Sequence, residues 1–153
     1  MRERDGQEHG AGTRTFVDGE VQEGEFRDGQ LHGWGRCRYA SGGVYTGQWV
    51  GGVRSGRGEY CCGGDASDDE VYYVGEWKRD VQHGRGARVA RDGSQYTPPP
   101  LTSTPHFRFK WRRFVRYVGE FKDGVAEGQG TLMHADGRIE MGTWCKGKLQ
   151  LQQ

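Results

Sequence analysis

The chain has 153 residues, of which 28 are glycine and only 33% are hydrophobic, and its mean hydropathy is −0.93. This composition is too polar for the thick two-layer core of an ordinary globular domain. A disordered chain of the same polarity would lack the 12% of aromatic residues and the internal period described below. The formal net charge of +1 means that charges are nearly balanced over the whole chain.

The N-terminal residues 1–8 read MRERDGQE, a charged sequence without an apolar run. We expect this segment to be disordered or loosely ordered, and to be neither a signal peptide nor a targeting helix. No apolar stretch elsewhere approaches the roughly 20 residues of a transmembrane helix. The four cysteines lack the spacing of a disulfide framework, which favours free thiols in a reducing compartment. A cytoplasmic protein is therefore predicted.

Two short motifs alternate through residues 9–147 and define a repeat. The first motif has the form Tyr-x-Gly-x-Trp and the second is Gly-x-Gly. Both recur every 23 residues in the regular repeats, and both spacings lengthen to 28 and then to 44 at the same two places. The extra residues therefore lie in two insertions, at about 63–70 and 94–116. The first motif has its glycine at Gly24, Gly47, Gly75, Gly119 and Gly142, and the second has its first glycine at Gly10, Gly33, Gly56, Gly84 and Gly128.

The alternation inside each motif predicts β-strands. Residues two apart share one face of a strand, so Tyr73, Gly75 and Trp77 should point one way and Val74 and Glu76 the other. A glycine that recurs in strands marks a close approach to the backbone, and here the approaching group is expected to be an aromatic ring of the neighbouring strand. The rings expected on one face are Phe26, Tyr45, Trp49, Tyr73, Trp77, Tyr117, Phe121 and Trp144.

Turn dipeptides separate the motifs, so each repeat is predicted to be a two-stranded antiparallel hairpin. The hairpins should join into an all-β fold, a single-layer antiparallel meander of about ten strands that is elongated over 9–147. A short tail would follow at 148–153. The two sheet edges are expected to be frayed and protected by charge, or to pair with a second chain, including another copy. The turns are Asp28-Gly29 and Asp123-Gly124 within repeats, and Asp18-Gly19, Asp92-Gly93 and Asp136-Gly137 between them.

The first insertion, at 63–70, is small and acidic. Its sequence GGDASDDE contains three aspartates and one glutamate. These carboxylates could form a calcium site, but the ordered ligand positions of an EF-hand loop are absent. A solvated hairpin tip is the simpler interpretation.

The second insertion, at 94–116, begins with a stiff proline tip and continues as a strand of alternating character. We expect it to form one long hairpin that projects from the sheet. Its basic-aromatic finger, residues 106–116, carries five positive charges and no acid, which leaves the rest of the chain at −4. The finger is either a solvated strand face or a docking element for an anionic surface. Its candidate binding residues are Phe107, Arg108, Phe109, Lys110, Trp111, Arg112, Arg113 and Arg116.

The repeat resembles the MORN repeat (membrane occupation and recognition nexus), whose pattern is roughly Y-x-G-x-W-x-x-G-x-x-H-G-x-G followed by D-G. The resemblance spans about 7–147 and recurs five times. Some positions depart from the pattern and should weaken the first, second and last units without changing the architecture. The departures are Gln22 and Glu140 in place of Tyr, Ser55 and Glu127 in place of His, and Arg79-Asp80 and Lys146-Gly147 in place of the first Asp-Gly.

The resemblance implies a structural or interaction module, because many short MORN-only proteins are parts of cilia, flagella and cortical cytoskeletons. We therefore expect docking onto protein partners in a multi-subunit assembly such as an axoneme. The aromatic face of the repeats and the finger should be buried against the partner, with the finger facing an acidic tubulin or scaffold surface. The alternative is peripheral binding of anionic phospholipid through the finger. Nucleic acid is disfavoured, because no recognisable module is present and the rest of the chain is acidic.

A catalytic site is not expected. His9, His32 and His83 occupy the same repeat position, which indicates a structural role. The other histidines are isolated, and the adjacent Cys61 and Cys62 do not have the spacing of a zinc site. No cofactor or metal is therefore predicted.

Overall fold

The computed structural model describes residues 2–4, 7–63, 70–91 and 114–150. The acidic tip at 64–69, the Asp92-Gly93 turn and the projecting hairpin lie outside the described residues. Finger residues 106–113 lie outside them too, so among the predicted finger contacts only Arg116 is described.

The described residues form one antiparallel sheet in which every strand pairs with its neighbours in sequence, and they contain no helix. This confirms the predicted all-β meander. The ten half-repeats are strands β2 to β11, and a short strand is added at each edge. The strands are β1 Arg2–Arg4, β2 Gln7–Thr15, β3 Val21–Arg27, β4 Gln30–Arg38, β5 Val44–Val50, β6 Val53–Cys61, β7 Glu70–Lys78, β8 Val81–Arg91, β9 Phe114–Lys122, β10 Val125–Met133, β11 Ile139–Cys145 and β12 Lys148–Leu149.

The two short edge strands were not predicted. β1 pairs with β2 over residues 7–9, where the sequence suggested a loosely ordered terminus. β12 pairs with Trp144 and Cys145 of β11, where a tail was expected. Their physical effect is the same, because each supplies hydrogen-bond partners to part of an otherwise open edge.

The hairpins turn through two consecutive residues with positive φ, which is the type I′ geometry that matches strand twist. Asp28 and Gly29 have φ of 51° and 71°, and Asp123 and Gly124 have 50° and 80°. Arg79-Asp80 adopts the same geometry without a glycine, at 49° and 66°. The sequence departures therefore leave the turn type unchanged. The other two hairpins turn at Gly51-Gly52 and Lys146-Gly147.

Each hairpin turn is tied to the repeat before it. The amide of the second turn residue donates to a carbonyl on the preceding second-motif strand, as when Gly52 donates to Leu31 at 2.9 Å and Asp80 to Arg54 at 3.0 Å. The Gly124 amide donates to Gln82 in the same way at 3.0 Å. Neighbouring repeats are thus joined at their turns as well as along their strands.

The second-motif strands contain a bulge that the alternation of the sequence did not predict. Gly24 pairs with Gly35 and Phe26 with Leu31, so three residues of β4 lie opposite one residue of β3. The first glycine of the motif lies in this bulge with positive φ, for example +78° at Gly33, a conformation that favours glycine. Ring approach therefore does not explain this glycine. The equivalent residues Gly10, Gly56, Gly84 and Gly128 have φ of 82°, 71°, 58° and 84°.

Candidate interaction surfaces

The predicted rings all lie on one face of the sheet, here called the ring face. Each is at most 5% exposed, so they form the core of this single layer. They pack edge to face in a continuous ladder in which each tyrosine contacts two tryptophan or phenylalanine rings at centroid distances between 5.0 and 5.3 Å. The ladder runs Trp49, Tyr45, Trp77, Tyr73, Phe121, Tyr117 and Trp144.

The tyrosine rings lie over the second glycine of the Gly-x-Gly motif, as the sequence predicted. A β-carbon at Gly58, Gly86 or Gly130 would overlap Tyr45, Tyr73 or Tyr117 respectively. The first repeat has Gln22 instead of tyrosine, and there the Leu31 side chain lies nearest to this position at Gly35. The glycine requirement is thus steric at this position. At the first glycine it is conformational, and in every repeat except that of Gly10 a β-carbon would also overlap the neighbouring Glu or Gln side chain.

The polar atoms of the rings are satisfied by the backbone. The Trp49 indole donates to the Gly35 carbonyl at 3.0 Å, and Trp77 and Trp144 make the same bond one and three repeats later. The Tyr73 hydroxyl donates to the Glu76 carbonyl at 3.0 Å, which is a bond repeated at the other ladder tyrosines. Because these polar groups are bonded, the rings are buried without an unsatisfied donor.

Burial on the ring face also controls ionisation. Loss of water contact raises the pKa of Tyr45 to about 12. The Cys37 thiol is fully buried, and burial followed by the nearby Glu20 carboxylate raises its pKa to about 12. A thiol with so high a pKa stays protonated and is a poor nucleophile.

The ring face is therefore the interior of the protein and cannot act as the partner-binding surface that the sequence analysis expected. The pattern of rings and glycines predicted the shared face correctly. It did not reveal that each ring would be covered by the ring of the next repeat. A partner must bind elsewhere on the molecule.

An arginine covers the ring at the two motif positions where phenylalanine replaces tryptophan. The Arg14 guanidinium lies 5.1 Å from the Phe26 ring centroid and donates to the Gly29 carbonyl at 2.8 Å. Arg88 repeats this arrangement with Phe121, at 5.3 Å, and with the Gly124 carbonyl. Each guanidinium thereby covers a ring and bonds the turn of the next hairpin.

A groove of about 530 Å³ interrupts the ring face in the first repeats, where Gln22 replaces the usual tyrosine. The Gln22 amide donates to Glu20 at 2.8 Å instead of covering the next ring. Arg54, also in the groove, lies 4.4 Å from the Trp77 ring and 3.0 Å from Asp80. The missing ring is thus partly replaced by polar side chains.

The opposite face, here called the open face, carries an apolar row across the C-terminal half of the sheet. Strand pairing aligns Val74 with Ala87, Ala87 with Val118, Val118 with Thr131, and Thr131 with Met141. Val74, Val118 and Met141 are 40%, 37% and 73% exposed. The row contributes to a shallow depression of about 450 Å³. Apolar side chains aligned and exposed in this way make the row a candidate interaction surface.

Charged side chains in fixed positions flank the apolar row. Arg57 pairs across strands with Glu76, and Arg85 with Glu120. The Glu76 carboxylate accepts the Arg85 amide at 3.2 Å, and Glu120 accepts the Gln129 amide at 2.9 Å. These bonds satisfy amides in the bulges and explain why glutamate or glutamine recurs just before the large ring.

Arg116 is the finger residue that the structure places. It lies on the open face, paired across strands with Val89 and Met133. The Arg116 end of the finger therefore lies beside the apolar row. The other predicted finger residues, 107–113, lie outside the described part of the chain.

Side chains at the recurrent histidine position contact a neighbouring hairpin turn, which is a structural role. His9 lies 3.4 Å from Asp28, and His32 accepts the Gly51 amide at 3.4 Å. Glu127 takes the same position in the last unit and accepts the Lys146 amide at 2.7 Å. All three interact with the turn of the following hairpin. Within the described ranges, no group of three or more His, Cys, Asp or Glu could hold a metal ion.

This geometry defines the protein as a single-layer sheet of repeated hairpins, with a core on one face and an exposed apolar row on the other. The described part of the chain contains no helix able to cross a membrane. The family model of the MORN repeat matches residues 4–21, 23–44, 45–65, 73–95 and 117–137, which together make up more than half of the chain. The chain therefore belongs to the MORN-repeat family, whose repeats are generally protein or membrane interaction modules and not enzymes. A comparison with curated proteins found no match.

Proposed function

We propose that this protein is a non-catalytic docking module that binds a protein partner within a larger cytoskeletal assembly, such as an axoneme. The observation that carries the proposal is the apolar row on the open face. Because the rings fill the other face, this row is an exposed apolar surface that runs over several adjacent strands of the described sheet. Its burial against a partner would stabilise a complex at roughly 25 cal/mol per Å² of apolar surface, before the cost of association.

The charges around the row favour a protein over a membrane as the occupant. Fixed residues of both signs alternate beside it, as in Arg57 with Glu76 and Arg85 with Glu120. An anionic bilayer would be repelled by these carboxylates and by the net −4 charge outside the finger. A protein surface can instead match both signs at once.

The basic finger supplies a second contact in this proposal. Arg116, at the end of the finger that joins the sheet, lies on the open face beside the apolar row. An acidic partner, such as the tubulin surface or another scaffold protein, would meet the finger and the row together. The charge of the finger would then accelerate and orient the encounter, while the apolar row would supply the buried contact.

Co-sedimentation with axonemes or microtubules, compared with anionic liposomes, tests the proposal. Val74→Lys combined with Val118→Lys places two charges in the apolar row and should weaken pelleting with axonemes at least tenfold. Val50→Lys combined with Val125→Lys is the matched control, since these exposed valines lie beside hairpin turns. The control should bind like the unmodified protein.

Two results would reject this function. Equal binding by the row variant and its control would show that the open face is not the docking surface. Pelleting with liposomes alone, abolished by Arg108→Glu, Lys110→Glu and Arg112→Glu together, would favour the membrane-binding alternative.

A further inference from the structure

Two strands at opposite edges of the described sheet keep part of their outer backbone unpaired among the described residues. Gly10–Thr15 of β2 pair with β3 alone, because β1 covers only Gln7–His9. Ile139–Gly142 of β11 pair with β10 alone, because β12 covers only the last two residues of β11. Exposed N–H and C=O groups of this kind can pair with a further strand.

The two edges carry complementary halves of the repeat. β11 contains the first motif, EMGTW, and β2 contains the second, HGAG. The glycine of the first motif faces the second glycine of the next strand in four hairpins of the sheet: Gly24 with Gly35, Gly47 with Gly58, Gly75 with Gly86, and Gly119 with Gly130. The same register would place Gly142 of one copy opposite Gly12 of a second copy.

This register brings opposite charges together on the ring face. It would place Glu140, which replaces the usual tyrosine, opposite Arg14 of the second copy. In the chain itself, the equivalent pair in the third hairpin is Tyr73 with Arg88. The replacement of tyrosine by glutamate thus occurs at the edge where an arginine of the second copy would arrive.

The same register matches the exposed side chains of the open face. Met141 and Ile139 are 73% and 58% exposed on an edge strand, without a lysine or proline between them to discourage pairing. They would lie opposite Thr13 and Thr15 of the second copy, and threonine is a residue that suits strands.

We propose that copies of this chain associate head to tail, with β11 of one copy pairing antiparallel with β2 of the next. The partner is thus a second copy of this chain. Because the two surfaces differ, each copy keeps one free edge after pairing, and association continues in one direction unless the rotation closes a ring.

The short edge strands restrict this association. β12 lies against Trp144 and Cys145, the place that Gln7 and Glu8 of the next copy would occupy in a full-length pairing. A full-length pairing therefore requires both β12 of one copy and β1 of the next copy to leave their edges. Pairing consequently begins with Ile139–Gly142 against residues 12–15, and the two short strands limit its strength.

A pair of charge variants of the full chain tests the register. Thr13→Lys with Met141→Lys would place like charges opposite each other in the interface, whereas Thr13→Glu with Met141→Lys would place opposite charges there. The unmodified protein should show a mass that rises with concentration in sedimentation velocity. The Lys/Lys variant should associate more weakly, with a dissociation constant roughly tenfold larger than that of the Glu/Lys variant.

The control carries two lysines at exposed positions on the same face of the interior strand β5, as Thr46→Lys with Val50→Lys, and should associate like the unmodified protein. Circular dichroism checks that every variant keeps its sheet. A constant monomer mass of the unmodified protein at all concentrations would overturn the proposal. Equal association of the Lys/Lys and Glu/Lys variants would also overturn it. If Met141→Lys blocked association whatever residue stood at position 13, the contact would instead be a symmetric one between two β11 strands, and the proposal would be wrong.

Discussion

The Tyr73 ring lies directly over Gly86 on the adjacent strand of the same hairpin, so that a β-carbon at residue 86 would overlap the ring. The tyrosine hydroxyl reaches past the glycine to the Glu76 carbonyl at 3.0 Å, which fixes the position of the ring. This relationship recurs along the sheet and sets the spacing of the ladder. It also shows how a polar chain builds a core, because glycine lets a large ring lie flat on the backbone.

Substitution of Gly86 by alanine should destabilise the protein by overpacking. The added methyl group cannot be accommodated unless Tyr73 leaves its place between Trp77 and Phe121. The expected loss in the free energy of unfolding is about 1–3 kcal/mol. Urea denaturation followed by tryptophan fluorescence measures it. Combining Gly86→Ala with Tyr73→Ala should cost less than the sum of the two single changes, and strict additivity would argue against the contact.

Gly10 should be sensitive for a different reason. Its φ is +82° and no atom lies within 4 Å of the place where a β-carbon would be, so the cost there is conformational. Gly10→Ala should reduce stability by about 1 kcal/mol, and Gly10→Asn should reduce it less, because asparagine tolerates the left-handed region. Thermal unfolding of the two variants compares them. If the Gly10→Ala variant were as stable as the Gly10→Asn variant, this explanation would be contradicted.

The association of arginine with phenylalanine can be tested at the last ring. Trp144→Phe removes the indole bond to the Gly130 carbonyl, 3.1 Å long, and should cost about 1 kcal/mol besides the loss of packing. Leu132 holds the position that Arg14 and Arg88 hold beside the two phenylalanines. Adding Leu132→Arg to Trp144→Phe should therefore recover part of the loss. Leu132→Arg in the unmodified background serves as the control and should be destabilising.

The protein should lose stability as the solution becomes alkaline. Burial raises the pKa of Cys37 from 9.0 to about 12 and that of Tyr45 from 10.0 to about 12. Because both folded pKa values are raised, the unfolded chain releases these protons first, so their stabilising contribution is complete below pH 9 and declines between about 9 and 12. Urea unfolding at a series of pH values measures the decline. Cys37→Ala should make the decline smaller, and an unchanged slope would contradict the assignment.

Thiol accessibility gives an independent check of the buried face. Cys145 is exposed and Cys37 is fully buried, so a thiol reagent should modify Cys145 in the native protein and Cys37 only after unfolding. Mass spectrometry of partially modified protein identifies the sites. Rapid native modification of Cys37 would contradict the described core.

The period and the alternation of the sequence predicted much of the fold. Residues two apart, such as Tyr73, Gly75 and Trp77, share a face, and the Asp-Gly dipeptides mark turns, because strand geometry and positive φ impose those residue types directly. The bulge at Gly33 could not be predicted from alternation, since two extra residues leave the parity of the strand unchanged. The recurrence of glutamate or glutamine before the large ring was a signal of the bulge, because its side chain accepts the bulge amide.

The candidate surface was less predictable than the fold. The ring residues were identified, but their burial depends on contacts between successive repeats, such as Tyr45 with Trp77, and strand parity alone does not report these contacts. The apolar row was hidden for a related reason. Val74, Ala87 and Val118 come together only when the register across three strands is known. Among the predicted finger residues, Arg116 lies beside this row, and the contribution of residues 107–113 stays a prediction.

The bonds that join each turn to the preceding hairpin, such as Gly52 to Leu31, are all made between immediate neighbours in the chain. Loss of one hairpin at an edge therefore weakens only the hairpin beside it. The sheet should unzip progressively from its edges, so that hydrogen exchange is slowest at the central strands and melting is broader than a single cooperative step.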